Sequence, residues 1–507
     1  MAFWNKIKNY DTLFFSVLAF FAIYLFCSYN GVGISPDSIM YTSAARNFVA
    51  HGNLHTFNHA PIVDFPVFYP TFLGIISFIT RIDPTLFGWW LDALMFASLI
   101  FCSGWIISRF EPTSHIYKWL ILIAIILNPG LLQVYTYLWS ETLFILEVLL
   151  FMIIFRQYML QHTVKWLVFA AIIGAVACIT RYAAVTIVGT GGLLLLLDRS
   201  LPVRKKIGHI LIYGFISISL LVANLWFNAL HTGTVTGPRE PSITPFHKNL
   251  YYFGTVFCDW LGFTPNQYFL ATPLAVIILA GFIIALVYNF YRRRLSSFEN
   301  IAITFALVYG LFIVLSSTFS RYERINPRLL SPMYIPALWG YSSWALLVLK
   351  RVNNRRVRVA IAALFIAAML GYITKIFLVD KTRYNDLIAD EYGNPGYTDN
   401  DWMESEMANY LKTMDKSIFK PKVTIYSDAH EAVYFFSGMS SYLVPHKFFK
   451  KDVEKFYQKK HFYLIWFKNL ENRELINLTD IKSHKQLKPI KEFGDEGGIY
   501  EYNLNSN

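Results

Sequence analysis

Residues 271–294 read ATPLAVIILAGFIIALVYNFYRRR, and this stretch decides the class of fold. From Ala271 to Tyr291 there is no charged side chain. An α-helix needs about 20 such residues to cross the hydrocarbon core of a membrane. Arg292, Arg293 and Arg294 follow at once. Basic residues at one end of an apolar run mark the cytoplasmic side.

Working outward from that run, further spans are expected near 11–29, 86–108, 117–135, 140–156, 165–180, 182–198, 208–230, 301–318, 328–349 and 359–379, eleven in all. Asn128-Pro129-Gly130 is expected to break the third. With the N-terminus in the cytoplasm, the inside loops hold Arg109 and Lys118, Arg156 and Lys165, Arg199 to Lys206, Arg292 to Arg294, and Lys350 to Arg358. Every basic cluster then lies inside, and an odd number of spans places the C-terminal end outside. Lys6 and Lys8 ahead of Leu13–Ser28 read as an uncleaved signal anchor.

Composition agrees. The 507 residues are 55% hydrophobic, 18% aromatic and 15% charged, with net charge +12. A soluble domain carries about 25% charged residues. The segment 381–507 has that balance, with 18 Lys+Arg against 19 Asp+Glu, which leaves the basic excess beside the apolar runs. This points to membrane topology rather than nucleic acid. The four cysteines, Cys27, Cys102, Cys178 and Cys258, lie in or near apolar segments and form no zinc or disulfide pattern.

The expected architecture is an α-helical polytopic membrane protein with a small extracytoplasmic α/β domain at its C-terminus. Its transmembrane domain is 1–380, with large outside loops at 30–85 and 231–270, and its soluble domain is 381–507. The first loop holds two amphipathic stretches, around Ser38–Val49 and Phe68–Ile79. The second, with Gly237-Pro238, Pro241 and Pro245, reads as a flexible cover. The tail alternates helix-like Asp401–Met414, Glu431–Ser437 and Asp452–Lys460 with strand-like Val423–Tyr426 and Phe462–Phe467.

Ionisable groups at the membrane boundary carry the functional information. Asp37 follows the first span and Glu141 opens the fourth, both on the outer side. A carboxylate there can take a proton from an attacking hydroxyl, and either acid equally suits a helix N-terminus. Arg46, Arg181, Arg321, Arg324 and Arg328 occupy the same level against the positive-inside bias. As a set they suit a phosphate or pyrophosphate. His51, His55 and His59 recur every fourth position, but Gly52-Asn53 interrupts any helix, so a surface loop is expected there rather than a metal site. Trp89-Trp90 and Tyr251-Tyr252 read as interfacial aromatics.

The sequence around these residues resembles a known family. Asp37-Ser38-Ile39-Met40-Tyr41, Ala45-Arg46-Asn47-Phe48, His51-Gly52-Asn53, Phe65-Pro66 and Tyr69-Pro70-Thr71-Phe72-Leu73-Gly74 resemble the first external loop of the GT-C glycosyltransferases, closest to the bacterial aminoarabinose lipid A transferases and protein mannosyltransferases. Leu138-Trp139-Ser140-Glu141, Thr180-Arg181-Tyr182 and Arg328-Leu329-Leu330-Ser331-Pro332 through Pro336 are similar to later segments, and Gly396-Tyr397 through Trp402, Tyr426-Ser427 and Ala432-Val433-Tyr434 resemble the family's periplasmic tail.

The resemblance implies an inner-membrane enzyme that transfers a hexose or pentose from a polyprenyl phosphate to a glycan, lipid or protein acceptor of the cell envelope. It implies that Asp37 is the general base, that Glu141 positions the acceptor or assists, and that Arg181, Arg328, Arg321 and Arg324 hold the donor phosphate. Tyr41, Arg46, Asp64 and Tyr69 are the first loop's candidates for the acceptor side. No Asp-x-Asp or Glu-x-Asp pair reads as a clear metal site, which departs from the family pattern and argues against a required divalent metal. Two other classes share these features: a lipid-linked glycan flippase or transporter, and a polysaccharide polymerase or ligase. Transporters place their ionisable sites near the midplane, where this chain has only Asp92 and Glu147.

Overall fold

The structure, a computed structural model, describes residues 2–237, 239–321, 323–468, 470 and 472–504, with side chains from Tyr10 onward. The Lys6 and Lys8 side chains of the expected anchor lie outside the described residues. The chain forms two compact units. One comprises residues 1–28, 63–69 and 87–390, and the other comprises 29–62, 70–86 and 391–507.

The first unit is a helical bundle. Among the described residues, six helices are long and apolar enough to cross a membrane: Pro84–Phe110, Glu141–Gln161, Val203–Thr232, Pro265–Tyr291, Phe298–Phe319 and Arg355–Ala389. A seventh is the pair His115–Ile126 and Pro129–Tyr135, bent by 56°. The bend falls at Asn128-Pro129, as expected, because proline lacks the N–H that would continue the ladder. The Asn128 side chain instead caps the new helix through Leu131 N. The remaining expected spans are helical too, but Tyr10–Phe26, Val164–Thr180 and Tyr182–Leu197 are shorter, and Pro327–Arg351 carries Pro332 and Pro336 inside it. The eleven expected segments are all helical, and six or seven of them qualify as spans on length and apolarity alone.

Phe144, Phe155, Phe305, Tyr309 and Trp339 are wholly buried where Glu141–Gln161, Phe298–Phe319 and Pro327–Arg351 pack. By contrast Phe215 and Trp226 are 76% and 67% exposed on Val203–Thr232. So large an apolar face is a liability in water and ordinary against lipid.

The 231–270 loop departs from the flexible cover expected of it. Phe246–Trp260 is a helix packed on Ala271–Tyr291, with Phe253, Val256, Phe257 and Trp260 buried. That spacing of 3, 4 and 7 residues is a helical stripe, and the glycines and prolines just upstream obscured it.

In the second unit, the two amphipathic stretches of the first loop are the helix Pro36–His51 and most of the helix Phe68–Thr80. Gly52, at φ 69°, ends the first in the left-handed conformation that suits glycine. The three histidines fall on that end and the turn beyond it. Among the described residues no three metal-ligating side chains cluster.

The tail is a five-stranded sheet of β1 (Ile425–Ser427), β2 (Tyr442–Leu443), β3 (His461–Phe467), β4 (Lys488–Glu492) and β5 (Gly497–Asn503), in the order β2-β1-β3-β5-β4. The first three are parallel, and β5 runs antiparallel to β3 and β4. Val444, Phe456, Phe462, Leu464, Ile481 and Tyr502 form its core.

Asp428 directly follows β1 and accepts a bond from Phe467 N at 2.9 Å, and burial pushes its carboxyl up to about 7. An acid whose folded pKa is raised keeps its proton while the unfolded chain loses one, so stability falls as pH rises from about 4 towards 7. Asp428→Asn is therefore expected to be the more stable protein at pH 8, by roughly 2–4 kcal/mol, and to lose that advantage at pH 4. Thermal unfolding at the two pH values measures this.

Candidate functional site

Glu141 is the first residue of its helix, where a negative charge is favoured by the helix dipole. It is 1% exposed. Its carboxylate holds Arg181 Nη1 at 2.6 Å through one oxygen and Arg328 Nε at 2.6 Å through the other. Arg181 stands at the break between the helix Val164–Thr180 and the helical turn Tyr182–Ala184, and its Nη1 also donates to Ser140 Oγ at 2.9 Å. Just before that break, Thr180 Oγ1 donates to the buried Glu147 at 2.9 Å, which ties this helix end to the Glu141 helix.

Arg328 enters from the first turn of Pro327–Arg351, which the Asn326 side chain caps through Leu329 N. A cation in a first turn opposes the helix dipole, so its placement answers to Glu141 rather than to its own helix. The guanidinium also lies 4.0 Å over the Trp139 ring, which is stacked on Tyr137. Side-chain exposures of 17% for Arg181 and 15% for Arg328 keep the cluster largely from water. Ion pairs so screened interact far more strongly than on a surface.

The other arginines of the expected set go elsewhere. Arg321 pairs with Glu240 at 2.6 Å, and its backbone N–H bonds the Glu240 carbonyl. Arg324 lies 4.3 Å over Tyr252. Asp64 sits against Gly237, where a Cβ would meet its carboxylate, and the adjoining Val63 carbonyl accepts from Tyr182 Oη at 3.0 Å. Tyr69 is fully buried. Sequence reasoning passed over Arg383, which donates to the Pro129 carbonyl and to Thr136 Oγ1. Its signal was available: it too is a cation at the outer end of an apolar run.

The bundle also holds a cavity of about 960 Å³, lined by Ile121, Trp260, Tyr334, Phe365, Met369 and Lys375 among others. Both Tyr334 and Leu349 line it, a helix rise of about 22 Å. Tyr334 itself lies about 9 Å along the same helix from Arg328.

In the second unit, Asp37 occupies the first turn of Pro36–His51. It is not the cap: Ser35 Oγ accepts from Ser38 N, and Ser38 Oγ accepts from Ser35 N at 3.1 Å. Tyr41 is buried one turn on. Arg46 makes a two-pronged pair with Asp83 at 2.7 and 3.0 Å and reaches Tyr434 Oη at 3.4 Å. Burial opposes the charge on Asp83, but Arg46 and Thr85 hold its carboxyl below the usual range. Arg46→Ala is expected to cost about 1 kcal/mol of stability, because Asp83 loses its ion pair but keeps its two bonds from Thr85, while Arg46→Lys recovers only part because it cannot match both oxygens. Thermal unfolding of the two variants checks the ranking.

No protein-family model and no curated protein matches the chain. Solved structures do. ArnT from Cupriavidus metallidurans in the apo state aligns with a TM-score of 0.56 at 13% identity over 97% of this chain and 98% of that one. Bound to undecaprenyl phosphate, ArnT aligns with a TM-score of 0.58 at 12% identity, over 96% and 97%. The oligosaccharyltransferase AglB from Archaeoglobus fulgidus, in complex with an inhibitory peptide and a dolichol-phosphate, aligns with a TM-score of 0.56 at 12% identity over 92% of this chain and 70% of that one. At such low identity the likeness is one of architecture, and it runs through nearly the whole chain: this protein has the GT-C fold, the fold of those membrane glycosyltransferases.

Proposed function

We propose that the protein is a membrane glycosyltransferase that moves a sugar from a polyprenyl-phosphate donor to an acceptor hydroxyl. The observation that carries this reading is the buried cluster of Glu141 with Arg181 and Arg328. Two guanidiniums converge on one buried carboxylate, and arginine forks suit phosphate oxygens. The cavity supplies what a prenyl tail needs, an apolar slot within a membrane-spanning bundle. ArnT and AglB were solved with undecaprenyl phosphate and dolichol-phosphate, which supports the same lipid class here.

In the proposed reaction Asp37 takes the acceptor's hydroxyl proton. The acceptor oxygen attacks the anomeric carbon as the carbon–oxygen bond to phosphate breaks, and the configuration inverts. The polyprenyl phosphate leaves with its new charge held by Arg181 and Arg328. Arg181 and Arg328 converge on one carboxylate, while Arg321 and Arg324 engage Glu240 and Tyr252 separately, so the phosphate is assigned to the converging pair first. The orientation follows the loop charges: N-terminus in the cytoplasm, transfer and the C-terminal domain on the outer face of the inner membrane. Tyr41, Arg46, Asp64 and Tyr69 stay on the acceptor side of the proposal, with a glycan, lipid or protein as acceptor.

Membranes containing the protein, given a panel of radiolabelled polyprenyl-phosphate sugars and matching nucleotide sugars, are expected to transfer label only from a lipid-linked donor. Transfer from nucleotide sugars alone, or none from any donor, overturns the reading. A bulky residue in the cavity tests the tail's place. Gly371→Phe is expected to raise KM for a long-chain donor about tenfold, while a short-chain donor and kcat change little.

A further inference from the structure

Tyr29–Ile34 leads directly into the helix that carries Asp37, and within the second unit the segment Gly393–Asn400 runs along it. The Asn400 side chain meets Tyr29 Oη at 3.3 Å and Asn30 Nδ2 at 3.4 Å. Asn394 Nδ2 donates to the Gly31 carbonyl at 3.1 Å, and Thr398 Oγ1 to the Val32 carbonyl at 3.4 Å. Tyr397 N donates to the Ile34 carbonyl at 2.8 Å. These contacts engage five residues of six, up to the residue before the Ser35 cap.

The closest approach is at Gly396. Its φ is 129°, and a Cβ there would lie 2.5 Å from the Ile34 carbonyl oxygen. Only glycine combines that conformation with that contact. Asp399 holds it in place, accepting from Gly396 N at 3.0 Å while capping the next helical turn through Trp402 N. The Tyr397 ring is buried against Trp402, Phe435 and Phe436. Burial and the nearby charges of Glu431, Asp428 and Asp37 all push its hydroxyl up. From the other side, the helix His430–Ser437 packs on Pro36–His51, with Tyr434 between Arg46 and a stacked Phe57 at 4.7 Å.

We infer that Gly393–Asn400, with Gly396 and Tyr397 at its centre, is a clamp from the C-terminal region that positions Asp37, making that region part of the catalytic apparatus rather than an appended domain. Tyr397 and Gly396 are positioning residues: they act through the backbone that enters the Asp37 helix. The inference rests on Asp37 being the base. A shift of about 1 Å in a reacting group lowers rate steeply while leaving substrate binding elsewhere intact.

The test is the split between kcat and KM for Gly396→Ala, beside Asp37→Asn, in full-length protein with the polyprenyl-phosphate sugar that the wild type uses. Gly396→Ala is expected to lower kcat about tenfold or more with donor KM within about twofold. Should Gly396→Ala not fold, Asn400→Ala replaces it on the same criterion, because it removes the clamp's side-chain bonds to Tyr29 and Asn30 and leaves its backbone in place. A wild-type kcat in the variant, with Asp37→Asn inactive, overturns the clamp and leaves the base assignment standing. An active Asp37→Asn overturns the base assignment itself, and the clamp falls with it.

Discussion

Asp37→Asn is expected to lose sugar transfer by about 10²–10⁴-fold, the range a general base contributes. The change is nearly isosteric, and Ser35 with Ser38 closes the helix end without help from Asp37, so the start of that helix is expected to survive it. Donor KM is expected to hold, because the proposed phosphate ligands Arg181 and Arg328 are untouched and remain paired with Glu141. A transporter of the same lipid makes the opposite demand: no proton leaves an acceptor, and the variant would move its cargo normally. Initial rates of transfer and of lipid movement across vesicles, in wild type and variant side by side, separate the two. Equal rates of transfer in both proteins would remove Asp37 from the chemistry.

The bundle was legible because membrane burial writes a simple code. A run such as Ala271–Tyr291 has one physical explanation, and arginines at its end give it direction. The bend at Asn128-Pro129 was legible for the same reason, since proline's missing donor acts locally. The helix Phe246–Trp260 was not, because its burial depends on a partner helix that comes later in the chain. In the tail, the expected helical and strand pieces are present, while the two-residue β2 and the longer β4 and β5 were missed. β4 is exposed along its whole length and β5 begins with two glycines, so neither shows the apolar alternation that announces a strand.

The site was legible as a list and not as a set of pairs. Outer-level arginines stand out against the topology bias, which is why Arg46, Arg181, Arg321, Arg324 and Arg328 could be chosen together. Their partners are set by tertiary packing. Arg46 meets Asp83, 37 positions away. Arg321 meets Glu240 across 81 positions, and Arg328 meets Glu141 across 187. No local pattern records such separations.

Glu141→Gln is expected to be the more informative loss, because two effects with different signs follow from one removed charge. The carboxylate is 1% exposed and lies 2.6 Å from each of two guanidiniums. Without it, two largely buried cations lose the carboxylate between them, a cost of about 3–5 kcal/mol for a broken buried pair, seen as a lower unfolding midpoint. Catalysis is expected to fall about a hundredfold, since the arginines are no longer held in the geometry that meets the leaving phosphate. Yet the pair now has one negative charge fewer beside it, so a phosphate should bind it at least as well as before. Undecaprenyl phosphate is therefore expected to raise the unfolding midpoint of Glu141→Gln by more than it raises that of the wild type. A merely structural ion pair makes no such prediction: the variant would be unstable, and the lipid would protect neither protein. Arg328→Lys divides the remaining possibilities, for it keeps the charge while losing the two-sided fork and the contact over Trp139. Protection that survives in Arg328→Lys with kcat lost assigns the arginine to orientation of the phosphate, and protection lost with it assigns the arginine to binding.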